Sequence, residues 1–107
     1  MSLDVTLNDD CGNELFEMNI THNLTTMASE AGIYKAIWRP DENGFVVAGD
    51  IIDVLLDGFI ALAKYPDDFK KFNPENGWGS YEILMKCVAE YIKACRENPK
   101  AKISVWR

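Results

Sequence analysis

Leu3, Val5 and Leu7 alternate with Asp4, Thr6 and Asn8, the period-two pattern of a half-buried strand. The turn-forming stretch Asp9-Asp10-Cys11-Gly12-Asn13 follows. Phe16, Met18 and Ile20 then alternate with Glu17 and Asn19. Two such runs across a polar loop predict a β-hairpin. After Ile20 the period lengthens. Asn23 is placed as a helix N-cap, and Leu24, Met27, Ala28 and Ala31 share one helical face. Gly32 reads as a C′ residue that breaks this first helix. Ile33 to Trp38 is predicted as a second short helical piece that carries Tyr34, Ile37 and Trp38 inward. Pro40 to Gly44 is predicted as a surface loop with a tight turn at Asn43-Gly44.

A central helix is predicted from Ala48 to Lys64, with Ile51, Ile52, Leu55, Leu56, Phe59, Ile60 and Ala63 at helical spacing. Asp50, Asp53 and Asp57 make up its opposite, solvated face. Pro66 opens a short turn over Asp67 to Phe72. The last helix runs from about Ser80 to Glu97, with Leu84, Val88, Tyr91, Ile92 and Cys95 inward, and Asn98-Pro99 stops it. Ile103 and Val105 alternate with Lys102 and Ser104 in a terminal strand. The expected fold is α+β in the order β-β-α-α-α-β, a three-stranded sheet on a three-helix layer. A length of 107 residues fits one domain, 1–107.

Connectivity orients these pieces. Short connections alternate the direction of successive helices. The first and last helices therefore both begin at the end of the sheet where the second strand finishes. The last strand then runs antiparallel to the first strand and parallel to the second. Antiparallel neighbours are commoner, which favours the strand order 2-1-3. Asn19-Ile20-Thr21-His22-Asn23 and Asn73-Pro74-Glu75-Asn76-Gly77-Trp78-Gly79-Ser80-Tyr81-Glu82 are thereby predicted to meet. Two helix N-termini, with free N–H groups and positive partial charge, come together there.

Charge changes this picture only in its distribution. The net charge is −6. Met1 to Tyr34 holds six acids and no Lys or Arg, whereas Lys86 to Arg107 holds six bases and two acids. Lys102 and Arg107 are expected to face the acidic N-terminal strands across the sheet. With no basic cluster on a predicted face, duplex nucleic acid is not an expected partner. The apolar stretches are short and broken by Asp or Lys, so no membrane span is expected. The N-terminus has no basic region followed by an apolar one, and no signal peptide is expected. Cys11, Cys87 and Cys95 have no disulfide or metal spacing, which suggests reduced thiols and a cytoplasmic setting. Asn19-Ile20-Thr21 and Asn23-Leu24-Thr25 match the glycosylation pattern, and without a secretion signal both read as chance matches. No cofactor is called for.

The polar, aromatic end carries the candidate binding residues Asn19, His22, Asn23, Asn73, Asn76, Trp78 and Tyr81. His22 is the only histidine, suited to acid–base work or to capping and bonding the adjacent loop. Trp78 between Gly77 and Gly79 either stacks on a partner or folds back as a plug, and the plug is favoured. Glu75 and Glu82 are read as charges at a helix start rather than a catalytic pair. No catalytic or metal-binding constellation emerges.

The stretches Asn19-Ile20-Thr21-His22-Asn23-Leu24 and Asn73 to Glu82 resemble motifs of a small family of bacterial and phage-associated hypothetical proteins, over most of the chain. The resemblance implies a bacterial or phage setting and no particular catalytic residue. The functional expectation is a non-enzymatic protein-interaction or regulatory module with a protein partner. One variant uses its acidity against a basic partner, in the manner of an immunity protein. The alternative is a small-ligand binder or enzyme whose pocket is formed by His22, Asn19, Asn76, Trp78 and Tyr81. Exposed strand edges leave a homodimer open.

Overall fold

The computed structural model describes residues 1–107. β1 (Ser2–Asn8) and β2 (Glu14–Thr21) form the expected antiparallel hairpin. β3 (Lys102–Trp106) pairs antiparallel with the other side of β1, giving the order β2-β1-β3. Leu3, Val5 and Leu7 lie opposite Ile20, Met18 and Phe16, and Val5 and Leu7 also lie opposite Val105 and Ile103. These residues make up the face that packs on the helices. Between the pairs Leu7–Phe16 and Asn8–Glu14, Leu15 has no partner, which makes a β-bulge at the turn end of the hairpin.

The charge pairing expected across the sheet does not form. Lys102 lies opposite Asn8. Arg107 lies beyond the end of β3 and grips Asp41 with two nearly parallel bonds, Nη1 to Oδ1 at 2.8 Å and Nη2 to Oδ2 at 3.1 Å. The nearer bidentate partner wins, because a guanidinium fork fits one carboxylate better than it spans strands.

The first helical stretch is in pieces, as Gly32 suggested. A 3₁₀ turn (His22–Leu24) leads into α1 (Thr25–Glu30). The cap is Thr21 rather than Asn23: Thr21 Oγ1 accepts the Asn23 N–H at 3.2 Å. At the C-terminus of α1 the Gly32 N–H donates to Ser29 O and the Ile33 N–H to Ala28 O, both at 3.0 Å. This pair of bonds is a Schellman motif with Gly32 at C′. It turns the chain into α2 (Tyr34–Trp38).

The central helix also differs in detail. A 3₁₀ turn (Ala48–Asp50) precedes α3 (Ile52–Lys64). Ile51, Leu55, Gly58 and Leu62 are buried, whereas Ile60 is 58% exposed and Ala63 faces solvent. Gly58 explains the rotated stripe. A Cβ there would stand 2.1 Å from Ile33 Cγ2, so the α1–α2 corner presses directly on the helix backbone at this position. Asp50 is not simply a solvated acid. Its Oδ2 accepts the N–H groups of Val46 (2.9 Å) and Val47 (3.1 Å), which holds the carboxyl below its usual range. Asp53 and Asp57 do face water.

The turn expected over Asp67 to Phe72 is a short helix, α4 (Pro66–Lys70). α5 (Tyr81–Glu97) follows its cap, Ser80, and buries Leu84, Val88, Tyr91, Ile92 and Cys95 as its spacing required. Phe16 of β2 stacks on Tyr91 with ring centroids 5.7 Å apart. No helix is long and apolar enough to cross a membrane.

Candidate functional site

The loop between α4 and α5 does reach the segment after β2. The Asn23 side-chain amide donates to the Trp78 carbonyl at 3.2 Å. At Gly79, with φ of +108°, a Cβ would lie 2.8 Å from Thr21 Cγ2 and 3.1 Å from Leu24 Cγ. Only glycine combines that backbone angle with so close an approach.

Asparagine side chains then fix the loop from within. Asn76 Oδ1 accepts the Trp78 N–H at 2.9 Å, closing an Asx turn. Asn73 Oδ1 accepts the Tyr81 N–H at 2.8 Å, and Ser80 Oγ accepts the Ile83 N–H at 3.2 Å. The N-terminus of α5 is therefore capped by its own chain, and the free N–H groups expected there are in part already used. Lys70 spans the loop's two flanks, with Nζ 3.9 Å from Glu82 Oε1 and 5.3 Å from the centre of the Tyr81 ring.

With its backbone held at both polar atoms, Trp78 projects its indole into solvent, 72% exposed. The plug expected from its flanking glycines is not what forms. Gly79 brings the backbone, not the ring, against Leu24. Tyr81 takes the buried position instead and donates its hydroxyl to the Leu62 carbonyl.

The remaining candidates point elsewhere. Asn19 lies on the open face of the sheet, where its amide donates to Ser2 Oγ (2.9 Å) and Asp4 Oδ1 (2.7 Å). His22 turns toward α2, where its Nδ1 accepts the Trp38 indole N–H at 2.9 Å. The indole only donates, so this bond requires Nδ1 to be unprotonated and places the neutral ring's proton on Nε2. Asn23, Asn73, Asn76, Trp78 and Tyr81 thus belong to one loop assembly, while Asn19 and His22 serve other neighbours. None of the four surface cavities is lined by any of the seven. No three His, Cys, Asp or Glu side chains cluster closely enough to hold a metal ion.

Sequence reasoning overlooked a second polar assembly, around Trp38. Besides its indole bond to His22, Trp38 accepts Arg107 Nη1 on its carbonyl at 3.1 Å and stacks on Tyr34 at 5.7 Å. Arg39 donates through Nε to the Tyr34 hydroxyl (3.3 Å) and through Nη1 to Glu42 Oε2 (2.7 Å). Arg107 in turn holds the Asp41 carboxyl well below its ordinary value. The run Arg39-Pro40-Asp41-Glu42 was a visible signal, but the decisive partner stands at the far end of the sequence.

The thiols follow burial. Burial pushes the Cys95 thiol up to about 12 and raises that of Cys87, while Cys11 is exposed. No protein-family model, no curated protein and no solved structure matches this chain.

Proposed function

We propose that the protein is a non-enzymatic interaction module, and that it engages a protein partner through the Trp78 loop. The observation that carries this reading is an exposed indole on a pinned backbone. A large aromatic in water is normally a liability, and interfaces take their binding energy from a few such anchors. Anchors bind best when ordering them costs little on association, and this backbone is already fixed by Asn23, Asn76 and Gly79. Ile83, 47% exposed in the first turn of α5, adds apolar surface close by in the chain.

The net charge of −6 favours a partner with a basic face, as in an inhibitor or regulator of a cationic protein. A cytoplasmic setting, in a bacterium or its phage, suits the three unpaired thiols and the motif resemblance. The chemistry of His22 speaks for the same class: its Nδ1 is committed to a buried tryptophan rather than to a substrate.

Affinity capture from the native host, with wild-type protein and Trp78→Ala side by side, tests the proposal. The expected result is one partner retained by the wild type, lost by the variant at unchanged melting temperature, and released by added salt. Equal retention by both proteins would overturn it.

A further inference from the structure

The two edges of the sheet are treated differently. The outer edge of β3 is covered where the strand begins: Val47 bridges to Lys102, the Ile103 N–H donates to Val46 O at 3.0 Å, and the Ala48 N–H donates to Ala101 O at 2.8 Å. The outer edge of β2 has no such cover. β1 is its only strand neighbour, and no backbone group from Glu14 to Ile20 bonds outside the hairpin ladder. From Phe16 to Ile20 the strand carries little of the usual protection against pairing: it has no proline, no lysine and no bulge, since the bulge is confined to Leu15, and its one charge is Glu17. One of the two edges remains able to accept another strand.

We infer that β2 pairs antiparallel with β2 of a second copy of this chain, joining two three-stranded sheets into one of six strands. The side-chain order selects the occupant and the register. Phe16, Met18 and Ile20 face the helices, Glu17 and Asn19 face the open side, and Thr21 sits against the Gly79 loop. A two-fold axis through Glu17 would set the two Glu17 carboxylates against each other. A two-fold axis through Met18 sets Met18 beside Met18, Phe16 beside Ile20 of the copy, and Glu17 beside Asn19 of the copy. That register places no like charges opposite each other and joins apolar to apolar at all three helix-side positions, whereas an axis through Asn19 would set Phe16 beside His22 of the copy. It also covers the half-exposed ring of Phe16, already backed by Tyr91. Asn19 is thus a cross-dimer neighbour of Glu17 as well as a partner of Asp4.

Association of two chains that each carry −6 must work against their net repulsion, so salt strengthens this contact. Salt acts in the opposite sense on a basic partner held by the Trp78 loop, which makes the two surfaces separable.

Sedimentation equilibrium over a range of chain concentrations, at low and at high salt, is the test. The expected species are the 12.1 kDa monomer and a particle of twice that mass, the larger favoured by salt. Asn19→Lys, which puts an ammonium opposite Glu17 of the copy twice per dimer, is expected to tighten the dissociation constant about twofold to thirtyfold, and Asn19→Glu to weaken it by a similar factor. Thermal melting of dilute monomer checks that both variants fold, and Trp78→Ala should leave the dimer unchanged. A chain that stays monomeric up to sub-millimolar concentration at both salts overturns the proposal, an edge that accepts only a different protein's strand being one such case. So does a dimer that responds alike to Asn19→Lys and Asn19→Glu.

Discussion

Trp38 and Trp78 are the same residue used in opposite ways. Trp38 is 2% exposed, and its one side-chain donor is taken by His22 and its carbonyl by Arg107. Trp78 is 72% exposed, and only its backbone groups are bonded. For Trp38 the protein positions a ring inside its own core and supplies every polar partner the ring needs. For Trp78 the protein positions a peptide unit and leaves the ring unmatched. The difference shows that fixing a residue and burying it are separate acts. A loop can be held firmly by asparagine bonds and a glycine contact while its largest side chain contributes almost nothing to the fold.

That contrast can be broken most directly at Trp38. Trp38→Ala should cost about 3–5 kcal/mol, since it removes a buried indole and leaves a cavity. Chemical denaturation would measure it, and a loss under about 1 kcal/mol would mean the ring is not part of the core. Next in size is His22→Ala, which strands a buried indole N–H and should cost about 1–3 kcal/mol, lowering the melting temperature by several degrees. His22→Gln, which keeps an acceptor, should lose less. If the two variants melt together, the His22–Trp38 bond has no energetic weight.

Acid should act on the same side of the molecule. The Arg107 bonds hold the Asp41 carboxyl below its ordinary value of 3.8. A carboxyl lowered on folding stabilises the native state fully above its unfolded value, and that contribution disappears as the pH falls through the folded value. On acidifying below 3.8 the guanidinium N–H signals of Arg107, which holds the Asp41 carboxyl, should therefore move before global unfolding, and Asp41→Asn should abolish that early shift. An identical shift in the Asn variant would assign it to another group. The smallest effect is expected at Trp78: replacement by alanine should change stability by no more than about 0.5 kcal/mol. A larger loss in denaturation would mean that the ring packs on the body of the protein after all.

What was legible in the sequence follows from how far each signal reaches along the chain. The strands, the corner at Gly32, the extent of α5 and the strand order were readable, because period, caps and connectivity are local or nearly so. The meeting of Asn23 with the Trp78 loop was also readable, from the directions of the helices alone. The orientation of Trp78 was not. Flanking glycines permit a ring to fold in or out, and here Tyr81 is the aromatic of the loop that is buried while the Trp78 ring stays in solvent. The stripe on α3 was misjudged because Gly58, without a side chain, carries no hydrophobic signal and yet is the point of closest approach. The partners of Trp38 were hidden for a simpler reason: His22 and Arg107 are remote in sequence, and neither bond has a spacing rule.

The sheet order carries a consequence for how this chain comes into being. Of the three strands the central one, β1, is synthesised first, and one of its two partners, β3, is synthesised last. On a ribosome the hairpin β1–β2 can close early, but the other side of β1 stays unpaired until the five helices between β2 and β3, and then β3 itself, have emerged. During that interval the nascent hairpin presents two open edges rather than one. The sheet is most exposed to wrong strand partners before β3 is made, and the arrival of β3 ends that exposure on the side where Val46 to Ala48 then close over the start of the new edge.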